Sequence, residues 1–150
     1  MTLEKWLDKI NDTVREFVQS IDCEYDCRHG QNFEACLDEN VIEWSILVVE
    51  KGEDAFCKNF ISRFPNADKL NYFTLALLHE IGHFETEWEM VDDIDERNTI
   101  TDYDEYFNLF NERIATDWAG EWIDENLELA LTVDKMFLDL LNDFYNEMLD

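Results

Sequence analysis

The period of the apolar positions changes along this chain, and the changes divide it. Leu3, Trp6, Leu7, Ile10, Val14, Phe17, Val18 and Ile21 recur at helical spacing with charge on the opposite face, which predicts an amphipathic helix over residues 2–20. From Ile21 to about Val49 that period fails. Short apolar runs at Phe33–Leu37 and Val41–Val49 are separated by Arg28-His29-Gly30-Gln31-Asn32 and Asp38-Glu39-Asn40, both with turn chemistry. The pattern predicts a small antiparallel sheet of about three strands within 21–49, with Val41–Val49 as its best strand and an edge for an added strand. Lys51-Gly52-Glu53-Asp54 breaks that run, and Ala55 to Phe64 reads as a short helix ended near Pro65.

A second helical stretch follows over 66–87, capped by Asn66 or Asp68. Val91 to Thr101 is acidic and aperiodic, an expected exposed loop. Asp102 with Glu105 three residues later makes a capping box for a helix over 103–124, and Leu127, Leu131, Val133, Met136, Phe137, Leu140, Leu141, Phe144 and Met148 predict a last helix over 127–149. With four glycines and one proline in 150 residues, long helices are favoured, and no internal repeat or linker divides the chain. The expectation is one mainly helical α+β domain spanning 1–150.

The chemistry concentrates in the stretch Phe73-Thr74-Leu75-Ala76-Leu77-Leu78-His79-Glu80-Ile81-Gly82-His83-Phe84. On a helix, His79 and His83 stack on one face one turn apart, so their imidazoles can close on one metal ion, while the surrounding apolar residues bury the helix as a rigid wall. This is the HExxH pattern of zinc peptidases, in which two imidazoles ligate the metal and the glutamate, here Glu80, acts on the water it activates. Gly82 costs about 1 kcal/mol against Ala inside a helix, which is understandable if another backbone must come close there. Two of the chain's three histidines lie on this turn, and none follows His83. A third zinc ligand must then be a carboxylate or a cysteine. Glu112, 29 residues after His83 on a helix with Ile114, Ala115, Trp118 and Ala119 as its apolar face, is the best placed, with Glu105 and Glu121 as rivals.

His79-Glu80-Ile81-Gly82-His83 followed by Glu112-Arg113-x-Ala115-x-x-Trp118-Ala119 resembles the two motifs of the ImmA/IrrE family of gluzincin-type metallopeptidases, over about residues 40–120. The resemblance implies a zincin-like fold, with the small sheet packed on the HExxH helix and a glutamate helix. It also implies Zn2+ held by His79, His83 and Glu112, with Glu80 as general base. It departs at Thr116, where the family often has Asn or Asp, Asp117 lying one position late; a closing Leu-Met-Pro is replaced by Trp122-Ile123-Asp124. Such proteins, often of phages and mobile elements, are intracellular proteases specific for one protein, in several cases a helix-turn-helix DNA-binding repressor. Tyr72, Tyr103, Tyr106 and His29 are candidates for steadying the oxyanion.

Charge and cysteines narrow the setting. The net charge is −26, from 37 acids against 11 bases, spread along the whole chain. Such a surface repels nucleic acid and membranes and attracts basic partners or cations. The rival functional class is therefore an acidic DNA mimic or inhibitor with a merely structural zinc. The N-terminus lacks the apolar core of a signal peptide and no run approaches the ~18 apolar residues of a membrane span, so a cytoplasmic protein is expected. Cys23, Cys27, Cys36 and Cys57 then read as reduced structural thiols, although Cys23-x3-Cys27-x-His29-x6-Cys36 has some look of a second metal site.

Overall fold

A computed structural model describes residues 1–47 and 50–149, a mainly helical α+β fold. Helix α1 (Leu3–Ser20) opens at Thr2, whose hydroxyl accepts the Lys5 N–H at 3.2 Å, and buries Trp6, Ile10, Val14, Phe17 and Val18. Its inner face meets the last helix, α7 (Leu127–Leu149), through edge-to-face pairs of Trp6 with Phe144 and Phe17 with Phe137.

The three strands are β1 (Asp26–His29), β2 (Glu34–Cys36) and β3 (Val41–Trp44), in the order β1-β3-β2. The sheet is mixed, not antiparallel: β3 pairs antiparallel with β2 and parallel with β1. The segment from Gly30 to Phe33, which has hairpin chemistry, steps over the end of β3, and the Gly30 N–H donates to the Trp44 carbonyl at 2.8 Å. The chain then turns at Asn40, in the left-handed region at φ 57°, and lays β3 into the gap it has left. Val41–Trp44 is therefore the central strand rather than an edge, with Ile42 and Trp44 in the core; Val48 and Val49, expected to prolong it, lie outside the described residues. The free edge near the histidines is β2.

Helix α2 (Glu50–Arg63) begins earlier than the sequence suggests and stops before Pro65, which opens a short 3-10 turn. The helix that carries both histidines, α3 (Tyr72–Glu85), has its cap at Asn71, not at Asn66 or Asp68. The side chain that secures this cap comes from far along the chain. Buried Asp134 of α7 accepts the Asn71 N–H and the Asn71 Nδ2 at 2.9 Å each and the Thr74 hydroxyl at 2.6 Å. From Phe73 to Phe84 every residue of α3 is buried, so this helix is the axis on which the sheet and the other helices pack.

The acidic stretch expected as a loop contains a short helix, α4 (Ile94–Thr99). The expected helix over 103–124 is two: α5 (Tyr103–Phe107) and α6 (Phe110–Glu125), parted at Leu109, which is extended and 2% exposed. Sinking Leu109 into the core re-aims α6 along α3. Asp102 caps α5, accepting from the Asp104 N–H rather than from Glu105. No helix among the described residues is long and apolar enough to cross a membrane.

Candidate metal centre

Helix α3 holds His79 and His83 one turn apart with their rings perpendicular and 4.7 Å between centroids. Helix α6 runs close beside it because Gly82 has no side chain: a Cβ there would lie 2.3 Å from the Ala115 carbonyl oxygen. This approach brings Glu112 to the histidines. One of its oxygens, Oε1, is 3.2 Å from His79 Nε2 and 3.2 Å from His83 Nε2. The rivals Glu105 and Glu121 are exposed and take no part.

His79 Nδ1 is 2.9 Å from the hydroxyl of buried Thr116, one turn after Glu112. If Nδ1–H donates to that oxygen, Nε2 turns its lone pair toward Glu112 Oε1. Two electron-rich atoms that close require a proton or a cation between them. The 3.2 Å spacing also fits a metal: ligands about 2.0–2.1 Å from a tetrahedral zinc stand about 3.3 Å from each other. His79, Glu80 and His83 form a buried group able to hold a metal ion, their ligand atoms within 4.8 Å of one another. Glu112 approaches both imidazoles more closely than that limit requires, so the residues present fit zinc with Glu112 as third ligand and Glu80 beside it.

The electrostatics separate the two glutamates. Burial raises the Glu80 carboxyl above its ordinary range and the charge of Glu112 adds to this; the imidazoles and the Ala35 backbone N–H pull the other way without prevailing. Burial acts on Glu112 too, but hydrogen bonds and charge from His79 and His83 outweigh it and hold Glu112 well below the usual carboxylate range. His83 is raised: burial opposes its charged form, but Glu112 and Glu80 overcome it. The two carboxyls of this buried site are thus pushed in opposite directions.

Arg97 is the group that sequence reasoning missed. It extends from α4, donating from Nη2 to Glu112 Oε2 at 2.7 Å and from Nε to Asp93 at 2.9 Å, with its guanidinium over the Tyr106 ring. Asn111, next to Glu112, fixes this strap by gripping both the N–H and the carbonyl of Val91. Arg97 thus occupies the outer oxygen of Glu112 and leaves the inner one to the histidines. Nothing in the spacing of an acidic, aperiodic stretch marks an arginine for that task.

Two hollows flank the centre. One of about 240 Å³ has His79, Glu80, Tyr72, Tyr103 and Tyr106 in its wall; the other, about 410 Å³, has His83, Glu80, Arg97, Ala35 and Tyr106. Tyr106, whose hydroxyl burial pushes up to about 12, borders both. His29 lies instead on β1 against Trp44, at 4.8 Å. Asp117 pairs with Arg63 and not with a histidine. All four cysteines are free, and among the described residues Cys23, Cys27, His29 and Cys36 do not gather into a metal-holding group. No protein-family model matches this chain, and neither a curated protein nor a solved structure matches it significantly.

Proposed function

We propose that this chain is a zinc-dependent endopeptidase, a minimal zincin-like domain of the ImmA/IrrE type that hydrolyses a peptide bond in a specific intracellular protein. The observation that carries the reading is the meeting of His79 Nε2 and His83 Nε2 with Glu112 Oε1, at 3.2 Å, beside buried Glu80. Zinc held by those three residues would supply Lewis acidity, polarising the scissile carbonyl and bringing water toward ionisation near pH ~7.

The remaining steps belong to the chain itself. Glu80 takes the proton from the attacking water and returns it to the leaving amine. Of the tyrosines, Tyr106, which borders both hollows, is our choice of donor to the oxyanion. The outer edge of β2, whose Ala35 N–H faces Glu80, offers backbone hydrogen bonds to an extended substrate. A DNA-binding repressor of basic charge suits the surface of −26 as the substrate protein.

The test mixes zinc-loaded wild type, Glu80→Gln and chelated protein with helix-turn-helix repressors and looks for a discrete fragment by mass spectrometry. Glu80→Gln keeps the shape and the zinc but removes the base, so cleavage should fall by ~100-fold or more. Undiminished cleavage in that variant overturns the mechanism; a tight complex with no cleavage by wild type favours the inhibitor class.

A further inference from the structure

The hollow of about 240 Å³ beside His79 is walled by rings. Phe56 of α2 stands edge-on to Tyr72 at 5.6 Å, to Phe107 at 5.5 Å and to the His79 imidazole at 5.3 Å. Phe33, on the crossover into β2, closes the arc against Tyr72 at 5.7 Å, and Tyr103 stacks on Phe107 at the other end. Four separate segments of the chain therefore supply aromatic faces to one space that also contains Glu80. Its floor is small: Ala76 precedes His79 by three residues and so shares its face of α3. Any larger side chain there would fill the space.

From this geometry we infer that the hollow is a specificity pocket for an aromatic side chain, Phe, Tyr or Trp, flanking the bond to be cut. The inference rests on the metallopeptidase reading and names its substrate class. Rings at these separations present edges and faces that a further ring can meet in offset or edge-to-face contact, which an aliphatic chain cannot exploit. A cationic side chain would also find ring faces to its liking. Glu53, Glu80 and Glu112 also line the hollow, so the comparison with a lysine side chain decides between the two. Tyr72, Tyr106 and Asn32 line the same wall, which is why tyrosine is included beside phenylalanine and tryptophan. The pocket accounts for selectivity in so small a domain: one anchored ring fixes which peptide bond comes to Glu80.

Two measurements test it. In protein carrying 13C-methyl alanine, p-cresol should shift the Ala76 methyl and leave Ala130, buried on α7, unmoved, with or without zinc. With zinc-loaded protein, phenylalanine hydroxamate should bind at least tenfold tighter than acetohydroxamate or lysine hydroxamate by calorimetry. Ala76→Leu should erase the tenfold advantage while keeping acetohydroxamate binding. Tyr103→Ala, at an exposed mouth residue, should reduce it without touching the core. An unmoved Ala76 methyl, or equal or better binding of the non-aromatic hydroxamates, overturns the pocket and leaves the metal reading standing. A shifted Ala76 with no hydroxamate binding at all overturns the peptidase reading, and the assignment of the pocket to a scissile bond falls with it.

Discussion

The carbonyl oxygen of Ala115 lies where a side chain on Gly82 would have to begin, 2.3 Å from an ideal Cβ. Backbone faces backbone at this point, and neither helix can yield without carrying a metal-ligand candidate with it. Gly82→Ala should therefore lose more from the forced separation, about 1–3 kcal/mol, than the ~1 kcal/mol it gains in helix propensity. Urea unfolding and zinc titration of the variant should both show a loss. A variant as stable as wild type with unchanged zinc affinity would mean that the approach is not needed.

The ligand set predicts about one tightly held zinc per chain by elemental analysis. His79→Ala or His83→Ala should abolish it, and Glu112→Ala should weaken it severely. Full occupancy in Glu112→Ala would show that another carboxylate is the third ligand.

Thr116 provides the hydroxyl that orients His79. Thr116→Val keeps the shape and removes the partner, so zinc affinity should drop by ~10–100-fold. Thr116→Asp, which supplies a carboxylate to His79 Nδ1, should hold zinc more tightly than Thr116→Val. Equal affinities in all three proteins would show that the 2.9 Å contact does not orient the ring.

Asp134→Ala takes the cap from α3 and leaves the Asn71 N–H and the Thr74 hydroxyl without a partner. A loss of about 1–3 kcal/mol is expected for an unsatisfied buried group, read as a lowered urea midpoint. An unchanged midpoint would mean that water replaces Asp134 at no cost.

Burial, joined by Glu85, pushes Cys23 up to about 12, and burial pushes Cys27 and Cys57 up to about 11. An unfolded thiol ionises near ~8.5, so above that pH the unfolded chain gives up protons that the folded one keeps. The stability these thiols contribute is complete below about pH 8.5 and is lost progressively as pH rises toward the folded values of about 11. Urea midpoints should decline between about pH 8.5 and 10, before ordinary tyrosines ionise, and the decline should flatten when all three are replaced by alanine. An equally steep decline in the triple variant would assign it elsewhere.

What the sequence made legible was whatever a local period or a short motif encodes. The bounds of α1 and α7 follow from their apolar stripes almost to the residue. The pairing of His79 with His83 follows from helical spacing. The purpose of Gly82 was readable as a need for close approach, though not which backbone would approach. Contacts across long separations were hidden. The parallel pairing of β1 with β3 depends on a crossover that has the composition of a hairpin, and the break at Leu109 depends on a core that exists only when α6 has docked. Asp134 reaches Asn71 and Thr74, Arg97 reaches Glu112 and Thr116 reaches His79 across 15 to 63 positions, a separation at which no periodicity operates.

Asp134 has one more consequence, for the order of events during synthesis. The residue that secures the start of the histidine helix is made 63 positions after the Asn71 it caps, in the last helix of the fold. A nascent chain that already contains His79, Glu80, His83 and Glu112 still has a loosely anchored α3. A histidine site tied down in this way stays incomplete until the segment that carries Asp134 has been made and has docked.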